Sequence, residues 1–300
     1  MIALNDHTLA HLEDFLQTAE LNNPLDASFA PFDDNDRLGA LLNRVVAIYN
    51  HLAKEQTSLT TAQEMAIRER QEQIRNKKQL TQNISHELKT PVSSILGYLE
   101  TILSNPSMNA LQQREFVEKS YEQAQRLSRL LQDLSVITRM DEASEIIEKE
   151  RVSLSEIIDE TVREHIPSAQ EKGITISNLT PAGLHMTGNR ALLQSVFHNL
   201  LENALLYSKG TQVGIQLLET PSSFFVFDFW DNGVGIDPEH LPRIFERFYR
   251  IDKGRSRKLG GTGLGLSIVK NAILLHGGRI EARCRPAGGL EFIFSLNASS

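Results

Sequence analysis

Two apolar patterns at helical spacing, parted by a single break, decide what this chain can fold into. In the first, Ile84, Leu88, Val92, Ile95, Leu99 and Ile102 recur at steps of three and four, which places them on one helix face. In the second, Phe116, Val117, Tyr121, Ala124, Leu127, Leu131, Leu134 and Ile137 follow the same rule. Asn105-Pro106-Ser107 ends the first helix and the second restarts near Asn109. A two-helix hairpin cannot cover its own apolar stripe. Two hairpins paired across a two-fold axis close a four-helix bundle, so a homodimer is expected. Burial of the stripe against the rest of the chain is the alternative.

Within the first helix stands Ile84-Ser85-His86-Glu87-Leu88-Lys89-Thr90-Pro91. His86 is two residues from both Ile84 and Leu88, about 200° around the helix from each, so it points to solvent. Glu87 is placed to accept the Nδ1–H and leave Nε2 free as a nucleophile. Thr90 lies at i+4 on the same face, where its hydroxyl could hold a water. Pro91 has no N–H to offer the Glu87 carbonyl, so a bend is expected there. A lone surface histidine on a bundle helix has no function of its own, and the reading depends on the whole string. That string resembles the phosphoacceptor box of bacterial sensor histidine kinases, which implies His86 as phosphoacceptor, Glu87 as base and orienting group, and Thr90 as the residue positioning a dephosphorylating water.

Hydrophobic residues make up 40% of the chain and charged residues 23%, as in an ordinary folded protein. The net charge of −7 argues against nucleic acid as a partner. The single cysteine, Cys284, rules out an internal disulfide and a cysteine-cluster metal site. No apolar run approaches the roughly 18–20 residues of a membrane span, and no secretory signal opens the chain. A cytoplasmic location is expected for these residues.

Before the hairpin, Leu9, Leu12, Phe15 and Leu16 mark a short amphipathic helix, and a polar connector over residues 21–34 holds Pro24 and Pro31. Helical character resumes at Asn35-Asp36-Arg37-Leu38-Gly39 and continues through Leu41, Leu42, Val45, Val46, Tyr49 and Leu52. Residues 53–80 stay polar and helix-favouring, as helices paired with a partner do. Helix, connector, then helix opening on Asp-x-Leu-Gly resembles a HAMP signal-relay module; a plain helical hairpin is the other reading. The HAMP resemblance implies a membrane helix upstream of Met1 and an inner-membrane anchor for the longer protein. The expected domains are a HAMP-like relay over 1–56, a dimerisation and phosphotransfer domain over 57–140, and a catalytic domain over 141–300.

After Met140 the pattern becomes mixed strand and helix. Strands are expected over residues 148–154, 174–179, 212–218, 224–230, 279–284 and 290–296, with helices over 155–172 and 188–207 and from Gly263 to before His276. Helices on one face of a mixed sheet is the expected architecture.

Four strings there carry nucleotide chemistry. Asn199-Leu200-Leu201-Glu202-Asn203-Ala204 sets two amides at i and i+4. An amide oxygen suits a Mg²⁺ that keeps most of its waters, which makes Asn203 the candidate metal ligand. Asp231-Asn232-Gly233-Val234-Gly235 follows a strand, where a carboxylate can accept from an adenine amino group and glycines let the backbone approach the ring. Residues 243–250 combine aromatic anchors with cations for the terminal phosphate. Gly260-Gly261-Thr262-Gly263-Leu264-Gly265-Leu266 opens a helix whose N-terminus favours phosphate; it follows no strand and lacks Gly-Lys-Ser/Thr, so neither a Rossmann site nor a P-loop is present.

In this order the four strings resemble the ATP-binding fold shared by histidine kinases, gyrase, Hsp90 and MutL, and the hairpin before them points to the kinase branch. The resemblance spans residues 75–297. It implies ATP and Mg²⁺ as cofactors, an aspartate of a response-regulator receiver domain as phosphoryl acceptor, and a nucleotide site of Asn199, Asn203, Tyr207, Asp231, Gly233, Gly235, Arg247, Arg250, Gly261, Thr262, Gly263, Leu264 and Gly265. Leu206 departs from the family's Asn-Ala-x-Lys-Tyr-Ser, with Lys253, Arg255, Arg257 or Lys258 as candidate replacements for the missing cation. A gyrase-type ATPase and a non-catalytic, nucleotide-sensing scaffold are the competing classes.

Overall fold

Between residues 37 and 90 the chain contains no proline, and α2 (Arg37–Ser104) runs unbroken through this stretch and past Pro91. The structure, a computed structural model, describes residues 6–19, 32, 37–142, 148–219, 223–252 and 261–298. These form two compact units, residues 1–81 and 82–300. The expected limit after residue 56 thus falls inside α2, where the helix has no break. Among the described residues no helix is long and apolar enough to cross a membrane.

In the first unit, α1 (Asp6–Ala19) presents Phe15 edge-on to Tyr49 of α2, ring centroids 5.7 Å apart. Phe32 is buried. Its N–H donates to Asn43 Oδ1 at 2.8 Å, and Asn43 Nδ2 donates to its carbonyl at 2.9 Å. One side-chain amide thereby satisfies both polar groups of a buried backbone unit. The rest of the expected connector, residues 21–31 and 33–34, lies outside the described residues.

In the second unit, α2 turns at residues 105–109 into α3 (Ala110–Glu142). Asn109 Oδ1 accepts from Gln112 N at 2.9 Å, the N-cap bond that starts a helix after a proline turn. Beyond it come β1 (Glu150–Ser153), α4 (Leu154–Glu171), β2 (Thr175–Leu179), β3 (His185–Gly188), α5 (Arg190–Tyr207), β4 (Gln212–Glu219), β5 (Phe224–Asp231), α6 (Gly265–Leu275), β6 (Ile280–Cys284) and β7 (Leu290–Asn297). Five strands form a mixed sheet in the order β2-β4-β5-β7-β6, with only β2–β4 parallel. The helices α4, α5 and α6 form the second layer of the sandwich. At its centre Phe197 of α5 meets Phe227 and Phe294 of the sheet, with centroids 6.0 and 5.9 Å away. All three are fully buried, each contributing about 2–3 kcal/mol by transfer from water.

One strand and two helix starts differ from expectation for reasons the structure shows. Strand β3 was not expected; residues 180–188 carry no alternating pattern, and four of them become a strand by pairing antiparallel with β1. Helix α5 begins at Arg190 rather than Gly188, because Asn189 is its N-cap, accepting from Leu192 N at 3.0 Å. Helix α6 begins at Gly265 rather than Gly263, whose φ of +75° no right-handed helix admits. The start of α5 is tied to the last turn of α6 by buried His276. Its Nε2 accepts from Asn189 N at 3.0 Å and its Nδ1 donates to Ala272 O at 2.7 Å. Burial lowers its pKa, which keeps that neutral tautomer.

Candidate functional site

Position along α2 puts His86 where the helical pattern required, exposed on the hairpin surface. It shares a shallow groove with Lys89, Thr90, Ser93 and Ser94. Thr90 Oγ1 donates to the His86 carbonyl at 3.1 Å, a common use of a helical threonine hydroxyl. Glu87 differs from expectation. Its Oε2 accepts from Arg126 Nη2 of α3 at 3.0 Å and from Arg250 Nη2 at 3.2 Å, rather than from the His86 ring. Two almost fully buried guanidinium groups outcompete a neutral imidazole for one carboxylate. The Arg126 and Arg250 side chains are 9% and 6% exposed.

Arg250 also reaches the second centre. Its Nη2 donates to Gly261 O at 2.7 Å, and it lines a cavity of about 530 Å³. The end of α5, the loop after β5 and the loop before α6 converge on this cavity. Backbone contacts fix the convergence: Val234 N donates to Ser208 O at 2.9 Å, and Phe248 N to Gly263 O at 2.7 Å. Of the expected nucleotide residues, Asn199, Asn203, Tyr207, Asp231, Gly235, Arg250, Gly261, Thr262, Gly263 and Gly265 line the cavity.

Gly233, Arg247 and Leu264 are not on its wall. Gly233 serves packing, since a Cβ there would come within 1.9 Å of the Ser208 carbonyl oxygen. Leu264 is fully buried in the core beneath the loop. Lys253, Arg255, Arg257, Lys258 and Gly260 lie outside the described residues.

Asp231 ends β5, is 5% exposed, and accepts from Gly233 N at 2.8 Å through Oδ1. Burial raises its pKa, opposed by the Gly233 and Leu290 N–H groups and by Arg285. Asn199 is 9% exposed and donates to Ser195 O at 2.8 Å, which turns its Oδ1 towards the start of α6. A Cβ at Gly265 would stand 2.5 Å from that oxygen, so only glycine lets the two elements close here. Asn203 lines the cavity one turn further along α5. Among the described residues no three His, Cys, Asp or Glu side chains are grouped to hold a metal.

The sequence reading missed the wall contributed by the hairpin: Arg129, Gln132 and Asp133 of α3 line the same cavity. No local motif marks them. Their position follows from how the sandwich seats on α3, where Thr262 Oγ1 donates to Asp133 Oδ2 at 2.7 Å.

Burial raises the Asp133 pKa to about 6 and Glu202 adds to the rise, against the Thr262 hydrogen bond and Arg129. An acid whose folded pKa lies above its unfolded value binds more protons when folded. Its cost is therefore absent below pH 3.8, grows up to about pH 6, and is complete above that. Asp133→Asn keeps an acceptor for Thr262 and removes the charge. At pH 7.5 it should gain about 1–2 kcal/mol after solvent screening, a rise of about 2–6 °C in melting temperature. The wild-type and variant curves should converge below pH 4; a constant offset across pH would refute the assignment.

An exposed imidazole on a helical hairpin, and a glycine-walled cavity in a two-layer α/β sandwich, define a phosphoacceptor helix pair joined to an ATPase-like domain of the GHKL type. The comparisons agree. Residues 76–143 match the His kinase A (phospho-acceptor) domain, and residues 188–300 the histidine kinase-, DNA gyrase B- and HSP90-like ATPase family. The chain is 35% identical over 215 residues to the sensor-like histidine kinase SenX3 of Mycolicibacterium smegmatis, covering 71% of this chain and 56% of that protein. Full-length ShkA in complex with AMPPNP is similar in structure, with TM-score 0.54 and 25% identity over 72% of this chain and 45% of that one. Histidine kinase ThkA in complex with response regulator TrrA shares the fold, with TM-score 0.59 and 23% identity over 77% of this chain and 64% of that one. This chain belongs to the two-component sensor histidine kinases. It spans 56% of the SenX3 relative's length.

Proposed function

We propose that this chain is the kinase core of a sensor that moves the γ-phosphoryl group of ATP onto His86 Nε2, then passes it to an aspartate of a response regulator. One observation carries the reading: Arg250 lines the cavity and also bonds Glu87, the neighbour of His86. The nucleotide site and the acceptor are thus linked by one side chain.

In this reading Asp231 accepts from the adenine amino group, and Asn199 and Asn203 face the phosphates. Asn203 would hold Mg²⁺, which supplies charge neutralisation on the phosphates when bound. The α6 N-terminus and its glycine loop offer free N–H groups to the same oxygens. As Arg250 turns to the terminal phosphate, Glu87 is released from one of its cations. It can then take the Nδ1–H that becomes acidic as Nε2 bonds to phosphorus and ADP leaves.

Homodimerisation is supported by apolar side chains left uncovered on both hairpin helices, with Leu96 53% and Leu103 80% exposed on α2, and Leu111 79% and Leu131 52% on α3. A receiver-domain partner is supported by the ThkA–TrrA complex. The HAMP-like relay over residues 1–56 and a membrane anchor upstream belong to the same proposal, as does a cytoplasmic location.

Incubation with γ-labelled ATP tests the reading. Acid-labile, base-stable label on the protein supports it. Free phosphate alone indicates a gyrase-type ATPase, and neither product indicates a scaffold. Thr90 is assigned to dephosphorylation. Thr90→Ala should keep autophosphorylation within about twofold and lower dephosphorylation of the phosphorylated regulator by about tenfold or more. An unchanged dephosphorylation rate would remove Thr90 from that role.

A further inference from the structure

The nucleotide cavity is lined by two parts of the fold, the sandwich and α3 of the hairpin. Asp231 and, from the turn after α5, Lys209 line it, and the bond from Val234 N to Ser208 O fixes that turn. Asn199, Glu202 and Asn203 of α5 line it too, as do Arg129, Gln132 and Asp133 of α3. Leu206 is also on the lining and brings no charge.

Arg129 and Arg250 line the cavity, and Arg126 shares Glu87 with Arg250. Arg126 and Arg250 are almost fully buried against Glu87, and Arg250, the cation assigned above to the terminal phosphate, also bonds Gly261 O. Arg129 is different. Its side chain is 45% exposed, and its Nη1 stands 3.6 Å from Glu202 Oε1, which is itself 36% exposed. A loose, half-exposed ion pair of that kind contributes little to stability, so exchanging its carboxylate for a more highly charged anion costs little.

We propose that Arg129, carried by the phosphotransfer hairpin, is a phosphate-binding residue of the nucleotide site. The inference rests on the ATP reading above and extends it. The triphosphate would take the guanidinium from Glu202, one residue before the candidate Mg²⁺ ligand Asn203. Arginine's planar fork suits two phosphate oxygens at once. Affinity for nucleotide then depends on the sandwich being seated on α3, and bound nucleotide strengthens that seating by the same factor.

The test measures dissociation constants of the full chain for MgATP and for adenosine by calorimetry. Arg129→Ala should weaken MgATP by about 5- to 20-fold and leave adenosine unchanged. Arg129→Lys should recover binding to within about threefold of wild type. Glu202→Gln, which frees Arg129 without removing it, should bind MgATP at least as tightly as wild type. Equal losses for MgATP and adenosine, or the same loss in Glu202→Gln as in Arg129→Ala, would mean that the ion pair only supports the wall. Undiminished MgATP binding in Arg129→Ala would also overturn the proposal. A wild-type chain that binds neither ligand would instead sink the ATP reading on which it stands.

Discussion

His86→Gln yields a folded chain that binds nucleotide and takes up no acid-labile label, a loss of at least about 10³-fold in autophosphorylation. The imidazole is exposed and buries no contact, so the substitution should change stability by no more than about 0.5 kcal/mol. Two other imidazoles are poorly placed to stand in. The ring of His276 is buried with both nitrogens bonded, and His165 is buried against Thr161 O. His198 and His240 do line the nucleotide cavity, so they are the residues to watch. Base-stable label persisting in His86→Gln would move the acceptor to another histidine and undo the assignment. Melting temperature and nucleotide affinity, measured on the same sample, separate loss of chemistry from loss of fold.

Asp231→Asn should weaken nucleotide binding by about 30- to 1000-fold, the cost of about 2–4 kcal/mol for a charged acceptor replaced where a donor must be met. Asp231 Oδ1 accepts from Gly233 N at 2.8 Å, and in the proposed reading the carboxylate also accepts from the adenine amino group. An amide that keeps the Gly233 bond turns its NH₂ towards that amino group, donor against donor. Fold stability should hold, because burial already raises the pKa of this carboxyl, and a neutral isostere relieves that penalty. The same raised pKa predicts that wild-type affinity falls on acidification sooner than an ordinary carboxylate would allow, since the charged form is the one that accepts. In Asp231→Asn this pH dependence should vanish. Calorimetric titration across pH 4–8 checks both effects. An Asn variant with wild-type affinity would place adenine elsewhere.

The hairpin was legible because its signal is local. Steps of three and four in apolar residues define a helix face wherever the partner comes from, and a proline turn defines its end. The sheet was legible for a similar reason, as residues 224–230 and 290–296 read as strands and lie within β5 and β7. Strand β3 was not, since His185–Gly188 has no pattern and owes its conformation to β1. Among the site residues, motifs placed ten on the cavity wall but could not tell a glycine that faces ligand from one that faces packing. Gly233 is the example: its missing Cβ makes room for the Ser208 carbonyl. Leu264, chosen for its place in a glycine-rich string, anchors that string from the core.

The amino-acid order alone determined the exposed imidazole, the acid beside it, the paired amides on α5 and the carboxylate ending β5, because each depends on spacing within one element. Tertiary structure alone decided which charges meet across elements. Glu87 is shared by Arg126 and Arg250, which stand 39 and 163 residues away in the chain, and Asp133 meets Thr262 at a separation of 129. Electrostatic and hydrogen-bond energies depend on distance in space and on desolvation, and neither is written in sequence separation.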